Sequence, residues 1–150
     1  MTHSHLHPDS LERYAFLWSE VRLIIAALAL FIGGVPPVLY FLPFSGLYGI
    51  LTILLKLAWL ISGVASVYLV YRWLSGGQKL FGHKDTKDLV AFLIMSVSGI
   101  NLGLVALIGS NVGMNISSSY PVFLIVAVLY VISTYHLYTR WKASGERVFK

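Results

Sequence analysis

Six polar side chains stand inside stretches that are otherwise apolar, and these are the residues with chemistry to offer: Glu20, Arg22, Lys56, Ser98, Asn101 and His136. Glu20 and His136 are the two groups that can exchange a proton near neutral pH once their surroundings adjust them. With Arg22, Ser98, Ser133 and Thr134 they are expected to form a polar cluster in the cytoplasmic half of the spans. An ionisable group inside a bilayer is costly to keep and is a functional candidate for that reason. A plainer reading makes His136, four residues before Arg140, an interfacial side chain. Lys56 has no acidic residue at its depth. It is expected either to snorkel to the outer interface or to donate to the carbonyls of Ile32 and Gly33, which Pro36 and Pro37 would free. A primary amide in hydrocarbon needs partners, so Asn101 is expected to be buried against another helix, either as a structural hydrogen bond or as a pore-lining group.

Other chemistry is not evident. His7 with Asp9, and His83 with Asp85, are pairs that can hold a divalent ion, with His3 and His5 nearby. The simpler reading makes Asp9 or Ser10 and Asp85 or Thr86 helix N-caps. There is no nucleophile triad, no phosphate loop, no H-E-x-x-H and no paired acid and base carboxylates. The chain is therefore expected not to be an enzyme and to carry no cofactor or metal. Without cysteine it has no disulfide or thiolate site.

These residues must be positioned by membrane helices. Of the 150 residues, 57% are hydrophobic and 11% are charged, against about a quarter charged in soluble domains. Spans of ~20 apolar residues are expected at roughly Leu11–Phe44, Gly46–Leu74, Leu89–Ser110 and Tyr120–Trp141. The start of the first remains open between a helix from Leu11 and a surface helix over Ser10–Ser19 with Leu11, Tyr14, Trp18 and Val21 as its apolar stripe. Arg13 and Arg22 lie toward the start, and Lys and Arg collect between spans two and three and after span four. The turn at Pro43–Gly46 and the loop Asn111–Tyr120 have none. The positive-inside rule then predicts cytoplasmic termini and a multi-pass protein of the cell membrane. The net charge of +5 flanks spans and forms no run, so the expected partner is the bilayer and not nucleic acid.

The two halves resemble each other. His7, Asp9, Ala15, Phe16 and Leu17 recur as His83, Asp85, Ala91, Phe92 and Leu93, with Ser10/Thr86 and Glu12/Asp88 conservative. Arg72-Trp73 to Leu80-Phe81 recurs as Arg140-Trp141 to Val148-Phe149. The expected architecture is an all-α four-helix membrane bundle. It is one domain, 1–150, made of two parallel hairpin repeats, about 7–81 and 83–149, related by a pseudo-two-fold along the membrane normal. The offset falls from 76 residues to 68, so the first copy holds an insertion, expected at Val35–Gly46, where Tyr40, Phe41 and Phe44 suit the outer interface.

In span three Gly99 and Gly103 form a G-x-x-x-G. With Ser96 and Ala106 they make a small-residue face, on the same side as Phe92 and Ser110, that lets another backbone approach. The partner is expected to be an internal helix, a second copy of the chain or a larger membrane complex. The run Ser98-Gly99-Ile100-Asn101-Leu102-Gly103-Leu104-Val105 resembles the signature G-x-N-W-G-L-V-G of very small two-helix bacterial membrane proteins of unknown function. Asn111 and Val126–Tyr130 add to the likeness. It covers the second half only, departs at Leu102 and Ala106, and implies no activity. The expected function is a structural, assembly or accessory-subunit role through the small-residue face; the alternative is a channel or transporter for a small ion or solute.

Overall fold

A backbone in hydrocarbon must satisfy its own hydrogen bonds, so apolar runs of this length cross as helices. The computed structural model is all-helical over the residues it describes, 8–34 and 48–149, apart from one isolated bridge between Leu80 and His83. In chain order the helices are α1 (Pro8–Phe31), α2 (Tyr48–Ser75), α3 (Thr86–Ile108), the short α4 (Val112–Ile116) and α5 (Tyr120–Ala143). All but α4 are long and apolar enough to cross a membrane. His3, His5, His7 and the expected insertion, with its prolines and aromatics, lie outside the described residues.

The first span ends within the expected window and begins three residues before it, without a break. α1 is one continuous helix from Pro8, with no separate surface segment. Leu11, Tyr14, Trp18 and Val21 are exposed on its outer side, as a lipid-facing stripe requires. It stops because Gly33 and Gly34 take φ of 95° and 107°, which only glycine adopts without strain. The Gly34 N–H closes back on the Ala29 carbonyl at 2.7 Å, a helix-ending bond.

The long helices run up, down, up and down. α1 and α3 are parallel and central, each packed on the other three, whereas α2 and α5 flank them. α2 and α3 share the most extensive contact, and small residues permit it. A Cβ on Gly103 would lie 2.8 Å from Gly63 Cα, and one on Gly99 would lie 1.9 Å from Ser66 Oγ. The small-residue face is therefore occupied within the chain. Ser96, Gly99 and Gly103 are buried there, and Ala106 is half-buried at its outer end.

At the other extremity the chain folds under its own helix ends. Gly77 and Gln78 after α2 have φ of 77° and 60°, and Gly145 and Glu146 after α5 have 77° and 63°. The Gln78 N–H bonds the Trp73 carbonyl at 3.0 Å, and the Glu146 N–H bonds Trp141 at 3.0 Å. Both tails then bury Leu80, Phe81 and Val148 against Phe16, Phe92 and Trp141. Asp85 caps α3 by accepting the Lys87 N–H at 2.7 Å. That bond holds its carboxyl below the usual range. The cap is thus complete at neutral pH and is lost only as pH falls through the lowered value.

The contact of Gly63 with Gly103 leaves no room for a methyl group. Gly103→Ala is expected to lower stability by about 1–3 kcal/mol through overpacking, read as a lower thermal midpoint in detergent. Gly49→Ala, where nothing lies within 4 Å of the added carbon, is the neutral control. Equal midpoints for the two variants would contradict the close seam.

Candidate functional site

Where the tails fold under, four charges from the two halves make two matching pairs. Glu12 at the start of α1 accepts a bond from Arg72 Nη2 at the end of α2, at 2.9 Å. Asp88 at the start of α3 accepts from Arg140 Nη2 at the end of α5, also at 2.9 Å, with Arg140 Nε as a second donor at 3.0 Å. Phe16 stacks near Trp141 at 5.5 Å, and Phe92 near Trp73 at 5.9 Å. Asp88 is fully buried and Glu12 nearly so. The pairs differ in their third partner. Glu12 Oε1 also accepts the backbone N–H groups of Val148 and Phe149 at 3.0 and 3.1 Å, whereas Asp88 binds His136 Nε2 at 2.8 Å.

His136 is thereby removed from the polar cluster in which the sequence suggested a place for it. It sits one turn from Arg140, bound to Asp88. Neither Asp88 nor Glu12 stood out among the candidates, because a carboxylate near a helix start first reads as a cap. The recurrence of an acid near the start and an arginine at the end of each half was the signal available.

Deeper in, near the middle of α1, lie Glu20 and Arg22, 4% and 7% exposed. Both therefore face the protein interior and not headgroups. Arg22 crosses to α3: Nη1 donates to Ser98 Oγ at 3.0 Å, and Nη2 donates to the Met95 carbonyl at 2.7 Å. Met95 supplies a spare backbone acceptor, and the small Ser98 lets the guanidinium lie against α3. Glu20 has no such anchorage. Both of its carboxylate oxygens are buried without a hydrogen-bond partner among the described residues. The hydroxyls of Ser19, Ser66, Ser96 and Thr134 are buried and unbonded as well, while Ser133 is buried nearby along α5. Ser62 is different: it accepts from Trp18 Nε1 at 3.0 Å and donates to the Ala58 carbonyl at 2.7 Å.

Above this level a cavity of about 140 Å³ lies between α1, α3, α4 and α5. Its floor is Ser98 and Tyr130, and its roof includes Asn111, Gly113 and Met114 of the α4 loop. Ala26, Val126 and Phe123 make apolar walls. Asn101 also lines it, with a role other than the expected interhelical bond. Asn101 Nδ2 donates to Asn111 Oδ1 at 2.9 Å, and Asn101 Oδ1 accepts the Val112 N–H at 2.9 Å. Asn111 Oδ1 also caps α4 through the Met114 N–H. The amide thus clasps the loop that follows its own helix and holds α4 over the cavity.

Lys56 is exposed on α2 and has no polar partner among the described residues. The bond to the Ile32 or Gly33 carbonyl does not form. His83 is exposed, and no group of three His, Asp or Glu side chains suited to a metal occurs among the described residues. Comparison with family models, curated protein sequences and solved structures gives no match.

Removing the guanidinium from either ion pair leaves a carboxylate with too few donors. Arg140→Gln is expected to cost about 2–3 kcal/mol, short of a fully buried pair because the arginine is partly exposed. Arg72→Gln is expected to cost less, since backbone donors still hold Glu12. Denaturation midpoints in the same detergent measure both, and a larger loss for Arg72→Gln would overturn this ranking.

Proposed function

We propose that this chain is a multi-pass protein of the cell membrane that moves a small ion or solute, and that Glu20, Arg22 and Ser98 form the centre of its path. The single observation that carries the reading is the cavity floor. A pocket between α1, α3, α4 and α5 ends at Ser98, whose hydroxyl is held by the buried guanidinium of Arg22. Intramembrane charges placed at the foot of a cavity are the usual mark of an ion or substrate path. At 140 Å³ the space suits a few-atom ligand and falls below the ~300 Å³ at which pockets begin to take drug-sized ones.

The assembly reading loses its main support, because Gly99 and Gly103 are spent on Gly63 and Ser66 of α2. Nothing in the site points to bond-making chemistry.

The cytoplasm lies, in this reading, at the end where the tails fold under. Arg72, Lys79, Lys84, Lys87, Arg140, Lys142 and Arg147 all fall near that end, and the α4 loop has no Lys or Arg, as the positive-inside rule asks. A duplicated hairpin, 7–81 and 83–149, is supported by the paired ion pairs, the paired tail geometry and the bond from Arg22 to Ser98. Those last two residues are separated by 76 positions, the offset at which the two halves align, so equivalent residues meet where a pseudo-two-fold axis would run. The cavity then faces outward, and the packed tails close the cytoplasmic side. A rocking of one hairpin against the other would exchange the two. The likeness of Ser98–Val105 to the small two-helix family fits a hairpin as the ancestral unit.

Purified protein in liposomes tests the reading. Wild type is expected to pass at least one small ion or solute, Glu20→Gln to change the rate tenfold or more, and Asn101→Ala to change it by loosening α4. The absence of flux for a panel of halides, alkali cations, small carboxylates and neutral solutes would sink it.

A further inference from the structure

The hydrogen-bonding state of the cavity wall narrows what can occupy it. Its amide acceptors are already used: Asn101 Oδ1 by the Val112 N–H, and Asn111 Oδ1 by Asn101 and Met114. No carboxylate lines it. Two donors remain at the floor. Ser98 Oγ accepts from Arg22, so its own hydrogen is directed away from the guanidinium and has no acceptor among the described residues. Tyr130 has no hydrogen-bond partner there either, and it stands close enough to Arg22 to share its field. Free hydroxyl donors backed by a fixed cation favour a ligand that accepts hydrogen bonds and carries negative charge. A metal cation would find no carboxylate among the described residues that line it.

The charge balance adds a second condition. Glu20 and Arg22 together are neutral, so an anion beside them leaves one net negative charge in a medium of low dielectric. Arg22 is the charged group that acts on Glu20. From α5, Tyr130 acts on Arg22, while His136 is held by Asp88 at the cytoplasmic end. At this depth α2 and α3 bring only Ser62, Ser66, Ser96 and Ser98. A proton on Glu20 is the simplest way to restore neutrality, and its oxygens have no other partner that the proton would displace.

Building on the transport reading above, we infer that the cavity binds a small monovalent anion at Ser98 and Tyr130 together with one proton on Glu20. Anion and proton move as a neutral pair.

The test uses the full chain, purified, with sodium formate and sodium bromide as probes. Calorimetric titration of wild type is expected to show an affinity that weakens about tenfold for each pH unit above the titration of Glu20. Glu20→Gln, which mimics the protonated acid, is expected to bind with no pH dependence, and Ser98→Ala to bind at least tenfold more weakly at every pH. In liposomes, formate uptake is expected to carry one proton per anion. Anion binding that ignores pH in wild type would overturn the paired proton. Flux of a cation or neutral solute, with neither probe bound, would overturn the anion while leaving the transport reading intact. Absence of any flux would instead remove that reading. Should either variant fail to fold, the pH dependence of anion binding and the proton-to-formate ratio of the wild type still decide the outcome.

Discussion

Arg22 reaches from α1 to α3 at mid-depth, and the organisation of the interior depends on that reach. A guanidinium cannot be left unpaired in hydrocarbon, and here a hydroxyl and a backbone carbonyl of α3 satisfy two of its nitrogens. The bond pins the two central helices at one register. It also sets Ser98 with its lone pairs toward Arg22 and its hydrogen toward the cavity. Glu20, two residues earlier on α1, is buried as well, and no hydrogen bond joins its carboxylate to any described residue. The register of the bundle and the chemistry of the cavity therefore come from the same side chain.

The two halves use similar residues to reach different packing. Under the alignment, Gly63, Gly99 and Gly103 correspond to Val131, Leu23 and Ala27. α2 closes on α3 until backbones touch. At the corresponding seam the buried Leu23 is bulkier than the glycine it matches, and Tyr130 stands where α2 has Ser62. The cavity lies on this wider side, lined by Tyr130, Val126 and Ala26. Larger residues in one seam are a sufficient physical reason for the space to lie on that side.

Much of the frame was legible in the sequence, since hydropathy locates spans and the paired motifs mark their ends. Periodicity also placed Ser96, Gly99 and Gly103 on one face, and that face is the one α3 turns to α2. What could not be read was the third dimension of each contact. Asn101 was correctly set away from the glycine face, but helical spacing says nothing of the loop ten residues on that folds back to meet it. The end of α1 was placed only within a broad window, because Gly33 and Gly34 lie within an apolar run that hydropathy carries through to Phe44. His136 was grouped with Glu20 by depth counting. In fact the carboxylate of Asp88, on another helix, decides where it points. The matching of Glu12 with Arg72 and Asp88 with Arg140 was within reach, since both members of each pair lie in the recurring motifs. Motif matching alone does not say that opposite ends of a hairpin touch.

Glu12 has a consequence for the order in which the chain is made. Its carboxylate is completed by the amides of Val148 and Phe149, which leave the ribosome after every span has been synthesised. Until then Glu12 has Arg72 as its side-chain partner among the described residues, and the packing of Phe16, Trp141 and Val148 cannot form. The chain therefore stays unlatched until the segment that follows α5 returns to α1.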